Sequence, residues 1–163
     1  AISVASIFKV KDTANARFDA LSRTYQYYIS RSKNPFEMDT SYYLYGLLDI
    51  GKMNHAAKLL FNYEDFTSFS KSNTQVMTNN CKVYKAEWYQ KGDQFIFEIK
   101  ANRFLRNMVR AIVGTLIQVG RGEISEQDFA KIIESKNRSQ AGFSVPAEGL
   151  FLTQVEYPDS IFI

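Results

Sequence analysis

Apolar residues in this sequence recur at two periods, and their order predicts an α+β fold: an antiparallel β-sheet with helices packed on one face, residues 1–163 forming a single domain. Three stretches carry that expectation. Val83 to Tyr89 and Gln94 to Lys100 alternate on either side of Lys91, Gly92 and Asp93, the clearest β-hairpin in the chain. Arg23 to Ser30 also alternates, with Arg23, Tyr25, Tyr27 and Ile29 on one face and Thr24, Gln26, Tyr28 and Ser30 on the other. Ala101 to Gly120 keeps helical spacing. Phe104, Met108, Ile112, Leu116 and Val119 mark one stripe and Leu105, Val109, Val113 and Ile117 the next, so this helix is apolar around most of its girth and belongs in a core.

The remaining elements follow in order. Ile2 to Val10 alternates at Ile2, Val4, Phe8 and Val10, apart from Ile7, and reads as a strand whose partner lies in this domain or in chain outside it. The opening AISVASIFKV has no initiator Met and is expected to have been cut from a longer polypeptide. Lys33, Asn34 and Pro35 make a turn, and Tyr42, Tyr43 and Tyr45 precede a helix start at Asp49, whose carboxylate can cap the first-turn amides. Met53, Ala56, Ala57 and Leu60 hold the period of that helix. His55 falls off the stripe, on the surface, and no Ser, Cys or acid pattern makes it a catalytic base. The loop NYEDFTSFS can bury Phe66 and Phe69, and Lys71 to Asn80 is polar and read as mobile. A further helix begins at Ser125, with Asp128 in the reciprocal capping position, Ile124 stapling onto Phe129, and Ile132 and Ile133 on its inner face. A basic loop around Lys136 and Arg138, the segment SVPAEGL and a strand Leu150 to Tyr157 stopped by Pro158 complete the chain.

With 45% apolar and 23% charged residues, the composition excludes a disordered chain. A net charge of +3 suits a polyanionic partner without requiring one. The lone Cys81 excludes an internal disulfide, and a single His argues against zinc, so no metal is expected. No signal peptide or membrane-spanning run is visible; the expected setting is reducing and cytoplasmic, with no membrane partner. One irregularity stands out in the core helix. Arg103, Arg106, Asn107 and Arg110 form a polar stripe that ends on Gly114, and Arg110 has no acid three or four residues away. A guanidinium held among apolar neighbours calls for a carboxylate or phosphate from elsewhere. Alternatively it snorkels to solvent or bonds loop carbonyls, and the pattern leaves both open.

Five blocks, ARFDALSRTYQYYIS, LLDIGKMNHAAKLL, DFTSF, IKANRFLRNMVRAIVGTLIQVGRG and PAEGLFLTQVEYP, resemble in this order and spacing the carboxyl-terminal half of the tRNA pseudouridine synthase A family. The resemblance implies an isomerase that converts uridine to pseudouridine in the anticodon stem-loop of tRNA, without a cofactor and as a homodimer. It also implies roles. Tyr25 matches the tyrosine that stacks on the target uracil and is a candidate for handling its C5 proton; Arg110 matches the arginine that pairs with the catalytic aspartate. Leu150 matches an apolar wall of the uracil pocket, and Arg17 and Arg23 lie where the family has basic residues facing RNA. Arg110 is expected to be substantially buried near Tyr25, with Arg103 and Arg106 reaching a more exposed surface that contacts phosphate. The family's nucleophilic aspartate belongs to a G-R-T-D motif in the amino-terminal half, and no such motif occurs here. Asp65 in DFTSF and Asp93 in the hairpin turn are poor substitutes, so this chain alone is expected to fold and to be inactive. Two other classes stay open: a non-catalytic RNA-binding module built on exposed Tyr and Arg, and a structural or dimerisation domain.

Overall fold

One strand receives partners along both of its edges, and the sheet is assembled around it. The structure, a computed structural model, describes residues 2–71 and 77–163. Its main elements are β1 (Ser22–Ser30), β2 (Tyr42–Tyr43), α1 (Ile50–Lys58), β3 (Val83–Lys91), β4 (Gln94–Ala101), α2 (Met108–Gly120), α3 (Glu126–Glu134) and β5 (Leu150–Glu156). Along one edge of β1 runs β4, antiparallel, with β3 beyond it. Along the other edge β5 pairs antiparallel with the first part of β1, and the two-residue β2 pairs parallel with Ile29 and Ser30. The sheet is therefore antiparallel in its long pairings and mixed only through β2, where the aromatic pair Tyr42 and Tyr43 runs parallel to β1.

Register decides what each face carries. Tyr27, Phe97 and Trp88 lie abreast on β1, β4 and β3, and all three are buried beneath the helices. On the opposite face Gln26, Glu98 and Glu87 lie abreast. Glu98 accepts from Gln26 Nε2 at 2.6 Å and pairs with Lys85 Nζ at 2.8 Å, so its carboxyl is held below the usual carboxylate range, first by the Lys85 bond. The core collects between the first face and α2, whose 13 residues are buried except for Arg110 and Gln118. Buried Thr115 is satisfied twice: its hydroxyl donates to Ala111 O at 2.8 Å and accepts from Gly142 N at 3.0 Å.

Local signals placed α1 and α3 where expected. Asp49 Oδ1 accepts the amide of Lys52 at 3.0 Å, and Ser125 with Asp128 forms a complete capping box at α3. The Ser125 hydroxyl and amide, with Lys131 in support, hold the Asp128 carboxyl down at about 2. Because the folded value is depressed, the stabilisation is complete above the unfolded pKa and is lost as pH falls through about 2. Ser125→Ala is expected to lower unfolding stability at neutral pH by about 1 kcal/mol. Chemical denaturation at pH 7 and pH 2 checks it; the deficit should shrink at the lower pH.

One expectation fails and another finds no partner among the described residues. Ile2 to Val10 pairs with no described strand: Val10 makes a single bridge to Phe162, and Ile2 and Ile7 are 94% and 90% exposed. The core helix starts at Met108 rather than Ala101. β4 continues through Ala101, and Asn107, in the left-handed conformation at φ 71°, ends an intervening loop, so Arg103 and Arg106 are loop residues and the four-residue helical stripe does not exist. Of the polar stretch Lys71 to Asn80, residues 72–76 lie outside those described. Among the described residues, no helix is long and apolar enough to cross a membrane.

Candidate functional site

The 102–107 loop separates two depressions. Asn102 pins its start by exchanging hydrogen bonds with Lys82, its amide donating to Lys82 O at 3.1 Å and its Oδ1 accepting Lys82 N at 2.7 Å. The first depression, about 730 Å³, is lined by Arg17, Phe18, Arg23, Tyr25, Arg103 and Phe104 among others. Tyr25 is half-buried and meets Phe104 edge-on, ring centres 5.1 Å apart at 86°. Arg23 is a structural tie as well as a lining residue: its guanidinium donates to Ala20 O at 3.1 Å, to Asn102 O at 2.7 Å and to Arg17 O. Arg17 is exposed, and its guanidinium stands 5.4 Å from the Phe18 ring centre.

The second depression, about 1050 Å³, gathers Lys71, Arg106, Asn107, Arg110, Arg138 and Leu150. Among the described residues its lining carries four cations and no carboxylate. Arg110 is half-buried and bonds a loop carbonyl, Nε donating to Val145 O at 2.5 Å, which is the alternative left open by the sequence pattern. The hydrogen bonds among the described residues use only its Nε, so the outer guanidinium nitrogens keep their donors.

The segment 141–149 forms a strap across the start of α2 and the middle of β1, and it positions this second depression. Val145 N donates back to Arg110 O at 3.3 Å. Asn107 Nδ2 and Arg138 Nη2 both donate to Ser144 Oγ, at 2.5 and 2.8 Å. Tyr27 Oη donates to Pro146 O at 2.8 Å. Burial, with Glu148 adding and Arg110 opposing, pushes the Tyr27 hydroxyl far above the usual phenol range, so it stays a donor. The strap reaches α2 because position 114 has no side chain: a Cβ there would lie 1.8 Å from Phe143 O.

The structure thus divides the sequence candidates. Arg106, Arg110 and Leu150 share one depression, while Arg17, Arg23, Tyr25 and Arg103 share the other. Tyr25 and Tyr27 nonetheless project from the same face of β1, about 7 Å apart, and Tyr27 stands opposite Leu150 in the β1–β5 ladder. The two depressions therefore adjoin along one strand. Lys71, Asn107 and Arg138 were not among the candidates. Asn107 was legible in principle, since an Asn is one of the few residues that tolerates a left-handed turn at a strand-to-helix junction. Asp65 is structural: it accepts from Thr67 N and Thr67 Oγ1 and pairs with Lys136 at 2.9 Å.

A sequence profile described as tRNA pseudouridine synthase matches residues 56–158. The tRNA pseudouridine synthase A of Bacteroides fragilis is 56% identical over 162 residues, 99% of this chain and 64% of that protein. The protein of the same name from Parabacteroides distasonis is 54% identical over 161 residues, 99% of this chain and 64% of its own length. That from Treponema denticola is 40% identical over 162 residues, 98% of this chain and 60% of its own. The chain spans less than two thirds of the length of these curated relatives. A profile covering most of the chain and identities of this size leave one conclusion: the chain belongs to the tRNA pseudouridine synthase family.

Proposed function

We propose that this chain is the C-terminal half of an enzyme that isomerises uridine to pseudouridine in the anticodon stem-loop of tRNA. The nucleophilic aspartate then comes from sequence that the relatives carry beyond the match. The observation that supports this best is the second depression, where Arg110 stands with three other cations and no carboxylate, as a site that receives an anion from outside the chain would be built. The reaction breaks the N1–C1′ bond, forms a C5–C1′ bond, removes the proton from C5 and returns one to N1, so nothing is gained or lost and no cofactor is required. A carboxylate entering beside Arg110 stays ionised, since a guanidinium within about 4 to 6 Å lowers a carboxyl pKa by about 1 to 3 units. The target base must leave its stack, and Tyr25, steadied by the edge of Phe104, offers an aromatic face worth about 1 to 3 kcal/mol. Leu150 walls the base, Arg17, Arg103 and Arg106 meet phosphates, and Arg23 braces the rim through the carbonyls it ties. The same proposal makes the enzyme a cytoplasmic homodimer, a setting that also keeps buried Cys81 reduced.

The test uses the full-length polypeptide, the 163-residue chain alone and an anticodon-arm RNA. The full-length protein should isomerise uridine and the chain alone should not. Tyr25→Phe should retain most RNA affinity while slowing single-turnover chemistry, and Tyr25→Leu should lose both. Wild-type turnover by Tyr25→Leu would remove Tyr25 from the active site. RNA binding by a full-length protein that leaves every uridine unchanged would favour the non-catalytic RNA-binding module.

A further inference from the structure

We propose that Tyr27 is a positioning residue for this reaction: its hydroxyl and Arg110 Nε latch two consecutive carbonyls of the strap, and the latch sets how Arg110 faces the second depression. The inference rests on the pseudouridine synthase reading of that site. The ring of Tyr27 is core, fully buried and opposite Phe97 and Leu150 in the sheet. Its hydroxyl has a separate task. It donates to Pro146 O at 2.8 Å while Arg110 Nε donates to Val145 O at 2.5 Å, so donors from β1 and α2 grip adjacent peptide units. The same tyrosine touches the strap at its other end, for a Cβ on Gly149 would lie 2.9 Å from Tyr27 Cζ and 2.8 Å from Tyr28 O. Gly149 O in turn accepts the amide of Tyr28 at 2.9 Å. Span 146–149 is therefore held at both ends by one residue and its neighbour, and Leu150, which lines the depression, follows directly. Removing the hydroxyl leaves Pro146 O without its donor; the peptide is then free to turn, and the Val145 carbonyl that orients Arg110 turns with it. Tyr27 touches no substrate in this arrangement, and it acts through Arg110 and Leu150.

The experiment compares Tyr27→Phe with wild type in the full-length protein by thermal unfolding, steady-state kinetics across pH, and NMR exchange of the Arg110 Nε–H with water. Phenylalanine keeps the core ring but leaves Pro146 O without a donor, so the unfolding midpoint should fall by only a few degrees, and kcat is read well below it, where the variant stays folded. The expected result is a kcat lowered about tenfold with KM within about twofold, as weakening one Arg110 hydrogen bond in the transition state by misaiming it gives. The acidic limb of the pH–rate profile should move upward as Arg110 loses its fixed aim, and Nε–H exchange should quicken. Wild-type kcat in the variant, or a loss of kcat that only follows a fallen unfolding midpoint, overturns the inference. Unchanged Nε–H exchange does so too. That arm needs no turnover, so a wild-type protein that fails to isomerise uridine sinks the functional reading while exchange still decides the latch.

Discussion

Gly114→Ala is expected to destabilise the protein by about 3 kcal/mol or more, the upper end for overpacking a core. The new Cβ would stand 1.8 Å from Phe143 O and 3.0 Å from Phe143 C, both backbone atoms of the strap, and neither can rotate away as a flexible side chain could. At position 120 the atoms closest to a new Cβ are side chain rather than backbone, Met53 Sδ at 2.5 Å and Met53 Cγ at 2.7 Å, so there a buried methionine rather than the strap would have to shift. The sign of the effect makes the test decisive. In a helix with nothing packed on it, Gly→Ala stabilises by about 1 kcal/mol. Urea unfolding of Gly114→Ala reports directly whether the strap is seated on α2: destabilisation says that it is, and a gain in stability would mean that it is not.

Arg110→Lys in the full-length enzyme should lower kcat by about 10- to 100-fold although the charge is kept. An ammonium cannot hold Val145 O with one nitrogen and present two parallel N–H donors to a carboxylate with the others. Loss of one charge-assisted hydrogen bond, about 1.5 to 3 kcal/mol, accounts for that range. Arg110→Met should add a second effect, because the incoming carboxylate loses its cationic neighbour: the acidic limb of the pH–rate profile moves up by about 1 to 3 pH units. Single-turnover rates measured across pH separate the two variants. A lysine variant with wild-type turnover would show that Arg110 serves only the strap.

What the sequence revealed were the features governed by neighbours along the chain. The caps of α1 and α3 depend on residues three apart, and the β3–β4 hairpin depends on a two-residue turn where Gly92 takes φ 57°. Missing were features decided by distant partners. Residues 101–107 have helical periodicity, yet Ala101 is claimed by the ladder to β1 and β3, and the left-handed Asn107 then restarts the chain as α2. Ile2 to Val10 has strand periodicity and no ladder to join among the described strands. The site shows the same division. Tyr25, Arg110 and Leu150 could be named by resemblance, but that Arg110 is aimed by Val145 and that Tyr27 reaches Pro146 depends on a strap 35 and 119 residues away in sequence.

The central position of β1 also bears on how the protein is made. Among the described strands β1 leaves the ribosome first and β5 last, and the bond from Ser22 Oγ to Glu156 spans 134 positions. At roughly 5 to 20 residues per second, the outer edge of β1 waits on the order of ten seconds for the strand that covers it. During that interval the nascent chain exposes the unpaired edge carrying Tyr25 and Tyr27, a feature that holdase chaperones bind and aggregation exploits. Leu150 and the strap are translated in that same last stretch, so the second depression is completed together with the fold. A chain terminated before β5 is left with a bare strand edge and without the second depression, although every residue named in the first has already been made.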